Sequence, residues 1–108
     1  MKVWLDDKRV MPDGFDLHVV SAFDAMELIE TGQVTKIGLD HDLGDEKIVG
    51  NGHMVSDFIE EQAFFGTIPR IEWSIQSSNG PEVARMSVAL RRADVYWDNH
   101  ERDGETEA

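Results

Sequence analysis

Lys36-Ile37-Gly38-Leu39-Asp40-His41-Asp42-Leu43-Gly44 is an apolar run of strand length that stops abruptly at acids. Near the start of the chain, Val3-Trp4-Leu5-Asp6-Asp7 repeats that arrangement. In an open parallel sheet, ligands bind just beyond the carboxyl ends of the strands. Two neighbouring strands that end this way would gather Asp6, Asp7, Asp40 and Asp42 at one edge, where the carboxylates repel unless positive charge sits among them. A divalent-cation site is the reading this favours. The plain alternative is that aspartate is common wherever a strand turns into a loop.

Working outward, the spacing predicts a first strand over Lys2–Leu5, then a loop to Asp16 carrying Pro12 and the turn pair Asp13-Gly14. A second strand covers about Leu17–Val20. Ser21 is placed to cap a helix with Ala22, Ala25, Met26, Leu28 and Ile29 on one face, which stops at Gly32. The third strand is Lys36–Leu39, and a glycine-rich loop runs from Asp40 to Asn51. A helix with Met54, Val55, Phe58 and Ile59 on one face ends near Gly66. The fourth strand is Arg70–Gln76, followed by the turn Ser77-Ser78-Asn79-Gly80. Pro81 opens a third helix, with Val83, Met86 and Leu90, that runs to about Ala93. Val95–Trp97 reads as a short last strand, and the polar stretch Asn99–Ala108 as a disordered acidic tail, leaving residues 1–98 as one domain.

Alternating strands and helices imply a mostly parallel sheet with right-handed crossovers. Side-chain alternation refines this. One strand face carries Val3, Leu5, Leu17, Val19, Ile37, Leu39, Ile71, Trp73 and Ile75, all apolar, while the other carries Lys2, Trp4, His18, Val20, Lys36, Gly38, Glu72, Ser74 and Gln76, mostly polar. Parallel strands covered on both sides read as continuous apolar runs, and these do not. The expected fold is therefore α/β, a sheet of four or five strands with three main helices largely on one face, a reduced two-layer arrangement. Trp4, on the polar face, calls for cover from Met11 and Phe15 of the first loop, from Tyr96 and Trp97, or from another molecule. The polar face is itself a candidate surface for a homodimer.

The chain has 108 residues, no cysteine and a formal net charge of −12. Its length suits a single core. The absence of thiols excludes a disulfide framework and a thiolate zinc site and fits a reducing compartment. No apolar run approaches a membrane span, and the N-terminal residues show no basic stretch leading into a long apolar one, so the expected location is the cytoplasm. The charge argues against general binding to nucleic-acid backbones. It leaves room for a bound cation, a local cationic pocket or a basic protein partner.

With these elements in place, the chain resembles a receiver domain of flavodoxin-like topology, and more closely the receiver-like family described as cyclic-phosphate processing, known mostly from bacteria and phages. Three motifs carry the resemblance over roughly residues 2 to 92: Trp4-Leu5-Asp6-Asp7-Lys8-Arg9, Leu39-Asp40-His41-Asp42-Leu43-Gly44, and Ser77-Ser78-Asn79 before a helix containing Arg85-Met86. The resemblance implies Mg2+ held by Asp6, Asp7 and Asp40, and a phosphate-processing activity. The chain departs from the family at Gln76, where a histidine is usual. It departs from ordinary receivers in Val95-Tyr96-Trp97-Asp98, which lacks their lysine.

Magnesium suits such a cluster because it takes oxygen ligands, keeps waters and binds phosphate beside one or two carboxylates. Lys8, Arg9, Ser77 and Asn79 are the candidate phosphate contacts. Asp40 or Asp42 is the candidate base, and His41 supplies the nearby imidazole. Three functions fit. The first is a magnesium-dependent phosphoesterase acting on a small phosphate substrate or an RNA end. The second is a non-enzymatic acidic binding protein or inhibitor, of the sort a phage encodes, aimed at a basic protein surface. The third is a phosphoacceptor receiver.

Overall fold

A computed structural model describes residues 1–107. The elements run β1 (Lys2–Leu5), β2 (Leu17–Val19), α1 (Ala22–Glu30), β3 (Lys36–Leu39), α2 (Glu46–Val49), α3 (Gly52–Phe65), β4 (Glu72–Ile75) and α4 (Gly80–Glu107). The four strands form one sheet in the order β2-β1-β3-β4, and every pairing is parallel. Among the described residues, no helix is long and apolar enough to cross a membrane.

The alternation read from the strands is what builds the layers. Val3, Leu5, Ile37, Leu39 and Ile71 join Ala22, Ala25 and Ile29 of α1, Val55, Ile59 and Ala63 of α3, and Met86, Leu90 and Ala93 of α4 in one buried cluster. Successive strand residues point to opposite faces, so these helices share one side of the sheet. The two-layer expectation holds. On the other side Trp4 is buried outside that cluster, with the Phe15 ring edge-on at 5.0 Å and Lys36 Nζ 4.9 Å above Phe15. The first loop therefore covers Trp4. Gly38 permits this, because a Cβ there would stand 2.7 Å from Trp4 Cε3.

The C-terminal quarter differs from the sequence reading. Val95–Trp97 is not a strand. It continues α4, which runs unbroken through the stretch expected to be a disordered tail as far as Glu107; Ala108 lies outside the described residues. The physical reason is a helical stripe that outweighs the β-propensity of Val95 and Tyr96. Met86, Leu90, Ala93 and Trp97 follow one another at spacings of three and four, and all are buried. The Trp97 indole N–H donates to the Ile68 carbonyl at 3.3 Å. Arg70, just before β4, then fans out to Asp94, Asp98 and Glu101, again at helical spacing. The loop after β3 also contains a single helical turn, α2, capped by the Asp45 side chain.

Candidate metal and phosphate site

Leu5 and Leu39 point into the core, so the residues after them turn to the opposite side at the carboxyl edge. Sheet-like pairing continues one residue further, with Asp40 N–H donating to the Leu5 carbonyl and Gln76 N–H to the Leu39 carbonyl. Asp6, Asp40 and Gln76 thus stand side by side across β1, β3 and β4.

Asp6 is wholly buried. Its Oδ1 accepts the backbone N–H groups of Lys8 and Arg9, both at 2.8 Å, which turns the chain back over the sheet edge. Its Oδ2 is 3.2 Å from Arg9 Nη1, and the same nitrogen is 3.5 Å from Asp40 Oδ1. Asp40, also buried, accepts the His41 N–H at 2.8 Å. Gly52, at the start of α3, lets that helix press on this strand end, since a Cβ there would collide with the Asp40 carbonyl oxygen. One carboxylate oxygen each from Asp6, Asp7 and Asp40 lies within 4.8 Å of the others. Asp7 Oδ1 is buried and has no hydrogen-bond partner.

The two buried acids are tuned in opposite directions. Burial works to raise Asp6, but the Arg9 and Lys8 N–H groups and the Arg9 guanidinium outweigh it, and its pKa falls below the ordinary value. Burial, then the charge of Asp6, pushes Asp40 above the ordinary value; the His41 N–H and Arg9 oppose this in part, and Asp7 adds to it. Asp40 therefore ionises against its surroundings. A cation placed among the three acids would relieve that opposition. The donor set, hard carboxylate oxygens with Asp7 Oδ1 unengaged, fits Mg2+.

Beside the cluster lies a cleft of about 120 Å³, lined by Lys8, Arg9, Asp40, Asp42 and Ser78. Four of the five were candidates from the sequence. Ser78 is the addition, its hydroxyl accepting from Arg9 Nη2 at 2.8 Å. Ser77 and Asn79 have local duties instead. Ser77 Oγ accepts the Asn79 N–H, and Asn79 Oδ1 accepts from Glu82 N–H, capping α4. His41 is buried behind Asp42, with Nδ1 2.7 Å from Asp42 Oδ1 and Nε2 3.2 Å from Glu82 Oε2. Glu82, which also meets Arg85 at 3.1 Å, escaped the sequence reading. Its signal was there: an acid three residues after a capping asparagine.

Gln76, where the resemblance implies a histidine, donates from Nε2 to the Leu5 carbonyl at 3.0 Å, and its Oε1 is buried without a partner. The other histidines have backbone or local partners. His18 meets the Asp6 carbonyl, His53 pairs with Asp57 along α3, and His100 meets the Phe64 carbonyl.

The family model described as a Cyclic-phosphate processing Receiver domain matches residues 1–92. Neither the curated proteins nor the solved structures contain a match to the chain.

Proposed function

Because the chain belongs to the cyclic-phosphate processing receiver family, we propose that it is a magnesium-dependent phosphoesterase whose substrate is a cyclic or terminal phosphate on a nucleotide or an RNA end. One observation carries the metal dependence: a buried, unpartnered oxygen of Asp7 beside Asp6 and Asp40, next to a cleft walled by Lys8 and Arg9. Asp6, Asp7 and Asp40 would hold the ion, which would polarise a phosphoryl oxygen. Lys8, Arg9 and the Ser78 hydroxyl receive the remaining phosphate oxygens, and Ser77 and Asn79 shape the turn that presents Ser78.

Asp42 serves as the base. It lies on the cleft wall, its side chain is mostly exposed, and His41 holds it in place from behind. For a cyclic phosphate, water attacks phosphorus, its proton passes to Asp42, and the bond from phosphorus to one ring oxygen breaks. That oxygen takes up a proton from solvent, because position 76 offers an amide rather than an imidazole. The product is a phosphomonoester.

The test is hydrolysis of a nucleoside cyclic phosphate and of an RNA ending in a cyclic phosphate, with millimolar Mg2+ or a chelator. Turnover is expected only with Mg2+ and only while Asp7 is intact. If Mg2+ binds and neither substrate is consumed, the catalytic reading fails.

A second reading is favoured by Gln76 and by the net charge of −12: a non-enzymatic binding protein whose carboxylates face a basic protein surface. It requires tight, salt-sensitive association with such a partner that Mg2+ weakens.

A further inference from the structure

Arg9 is built into the acidic cluster rather than lying beside it. The root of its side chain is clamped on both sides: Asp6 Oδ1 accepts its N–H at 2.8 Å, and its carbonyl accepts the Trp4 indole N–H at 3.3 Å. From that fixed root the guanidinium spans Asp6 Oδ2, Asp40 Oδ1 and Ser78 Oγ. Among the described residues, it is the one cationic side chain paired with these carboxylates. Its side chain is nevertheless 39% exposed, open to the cleft rather than locked in the core.

A carboxylate lone pair that accepts a guanidinium N–H is not free to ligate an ion. Two positive charges a few ångströms apart also oppose each other. Guanidinium and divalent cation therefore contend for Asp6 Oδ2 and Asp40 Oδ1, while Asp7 Oδ1, which has no hydrogen-bond partner, stays available to the ion. Phosphate changes the balance. The planar guanidinium binds phosphate through two parallel N–H donors, and Nη2 already lies against Ser78 in the cleft wall.

We infer that Arg9 is a built-in competitor of the divalent cation, and that a substrate phosphate, by drawing the guanidinium into the cleft, frees Asp6 and Asp40 to bind the ion. The inference rests on the reading of the cluster as a divalent-cation site. It adds an order to the binding: ion and phosphate bind weakly apart and tightly together, with Arg9 as the link. An empty protein then holds Asp6 and Asp40 paired with Arg9 rather than open to ions.

The test is calorimetric titration of Mn2+ or Mg2+ into the full chain, with and without inorganic phosphate. Wild type, Arg9→Met, and Arg9→Met combined with Asp7→Asn are compared. Arg9→Met is expected to tighten ion binding about tenfold or more, a usual size for coupling between sites, and Asp7→Asn to abolish that gain. Phosphate should tighten ion binding in wild type and do so much less in Arg9→Met. Arg9→Gln, which keeps a donor for Asp6 but no charge, should behave as Arg9→Met does and covers the case in which the latter fails to fold. Equal or weaker ion affinity in the folded variants overturns the inference while the cation site stands. An equal phosphate effect in wild type and variant also overturns it. Absence of ion binding in every form, with phosphate present, removes the cation site and the inference with it.

Discussion

Two arginines in this molecule each face acidic side chains, and they do so in opposite ways. Arg70 meets Asp94, Asp98 and Glu101 on the exposed flank of α4, with one acid for each donor group and its ring neighbour Trp97 5.8 Å away. Those acids are spaced along a helix and reach solvent on their outer sides. The hydrogen bond to Glu101 raises the Arg70 pKa, burial opposes it, and Asp98 adds to the rise. Arg9 meets acids that the ends of two strands force together, buried, with one oxygen left over. The first arrangement satisfies its charges and fastens a helix. The second leaves Asp40 ionising against its surroundings, the condition under which a ligand gains by binding. Burial and crowding, rather than the count of charges, separate a staple from a site.

The largest expected effect breaks the second cluster. Asp40→Asn removes the proposed ion ligand and the repulsion together. Activity should fall about a hundredfold or more, the scale on which a single well-placed catalytic group is lost, and the rise in melting temperature on adding Mg2+ should disappear. The protein without the ion should be at least as stable as wild type, since the amide oxygen still accepts the His41 N–H. A variant that unfolds instead would show that the charge of Asp40 holds the fold, as in a staple.

Gln76→His is the next largest. Gln76 stands beside Asp40 and Asp6 in the same row across the strand ends, so an imidazole there places a proton donor that titrates near neutrality next to the cluster. Turnover should rise by about tenfold, short of the roughly hundredfold or more that a fully aligned general acid supplies, and the pH–rate profile should gain a limb near pH 6 to 7, close to the ordinary histidine value of about 6.5. A faster enzyme with an unchanged pH profile would mean that the substitution acts through packing.

The sheet, its helical cover and the acidic edge were legible because they rest on local periodicity. Strand alternation reports which face is buried, and the aspartates follow directly on buried leucines. The far half of α4 was not legible from Val95-Tyr96-Trp97 alone, because what keeps it helical is distant in sequence: the Ile68 carbonyl under Trp97, and Arg70 reaching across to Asp94, Asp98 and Glu101. The turn Ser77-Ser78-Asn79 posed a different difficulty. All three side chains can bind phosphate, and only the capping demand of α4, which engages Asn79 and through it Ser77, leaves Ser78 to the cleft.

Arg70→Ala tests the staple side of the comparison with a smaller effect. Its pairs are largely exposed, so solvent screening holds each to roughly 0.2–1 kcal/mol, and the expected loss is about 1 kcal/mol in urea unfolding. Hydrogen exchange should quicken in α4 beyond Trp97, while Mg2+ binding and turnover stay at wild-type levels. A matching loss of ion affinity would mean that the two clusters are mechanically joined.

The subtlest effect lies in pH. Asp6 has a folded-state pKa below the ordinary carboxylate value of about 3.9, so its contribution to stability is present above that value and lost as pH falls through the depressed one. Asp40 is raised, so its contribution is present below about pH 3.9 and lost as pH rises through the raised value. Without a divalent ion, Asp40→Asn should therefore gain on wild type as pH climbs from about 4 to neutrality. Adding Mg2+ at neutral pH should close the gap from the wild-type side, because an ion held by the proposed site would stabilise the charged form of Asp40. Urea unfolding at both pH values, with and without the ion, reads all four corners. A gap that narrows as pH rises would give Asp40 the sign of Asp6, and the arginine beside it would then be a staple like Arg70.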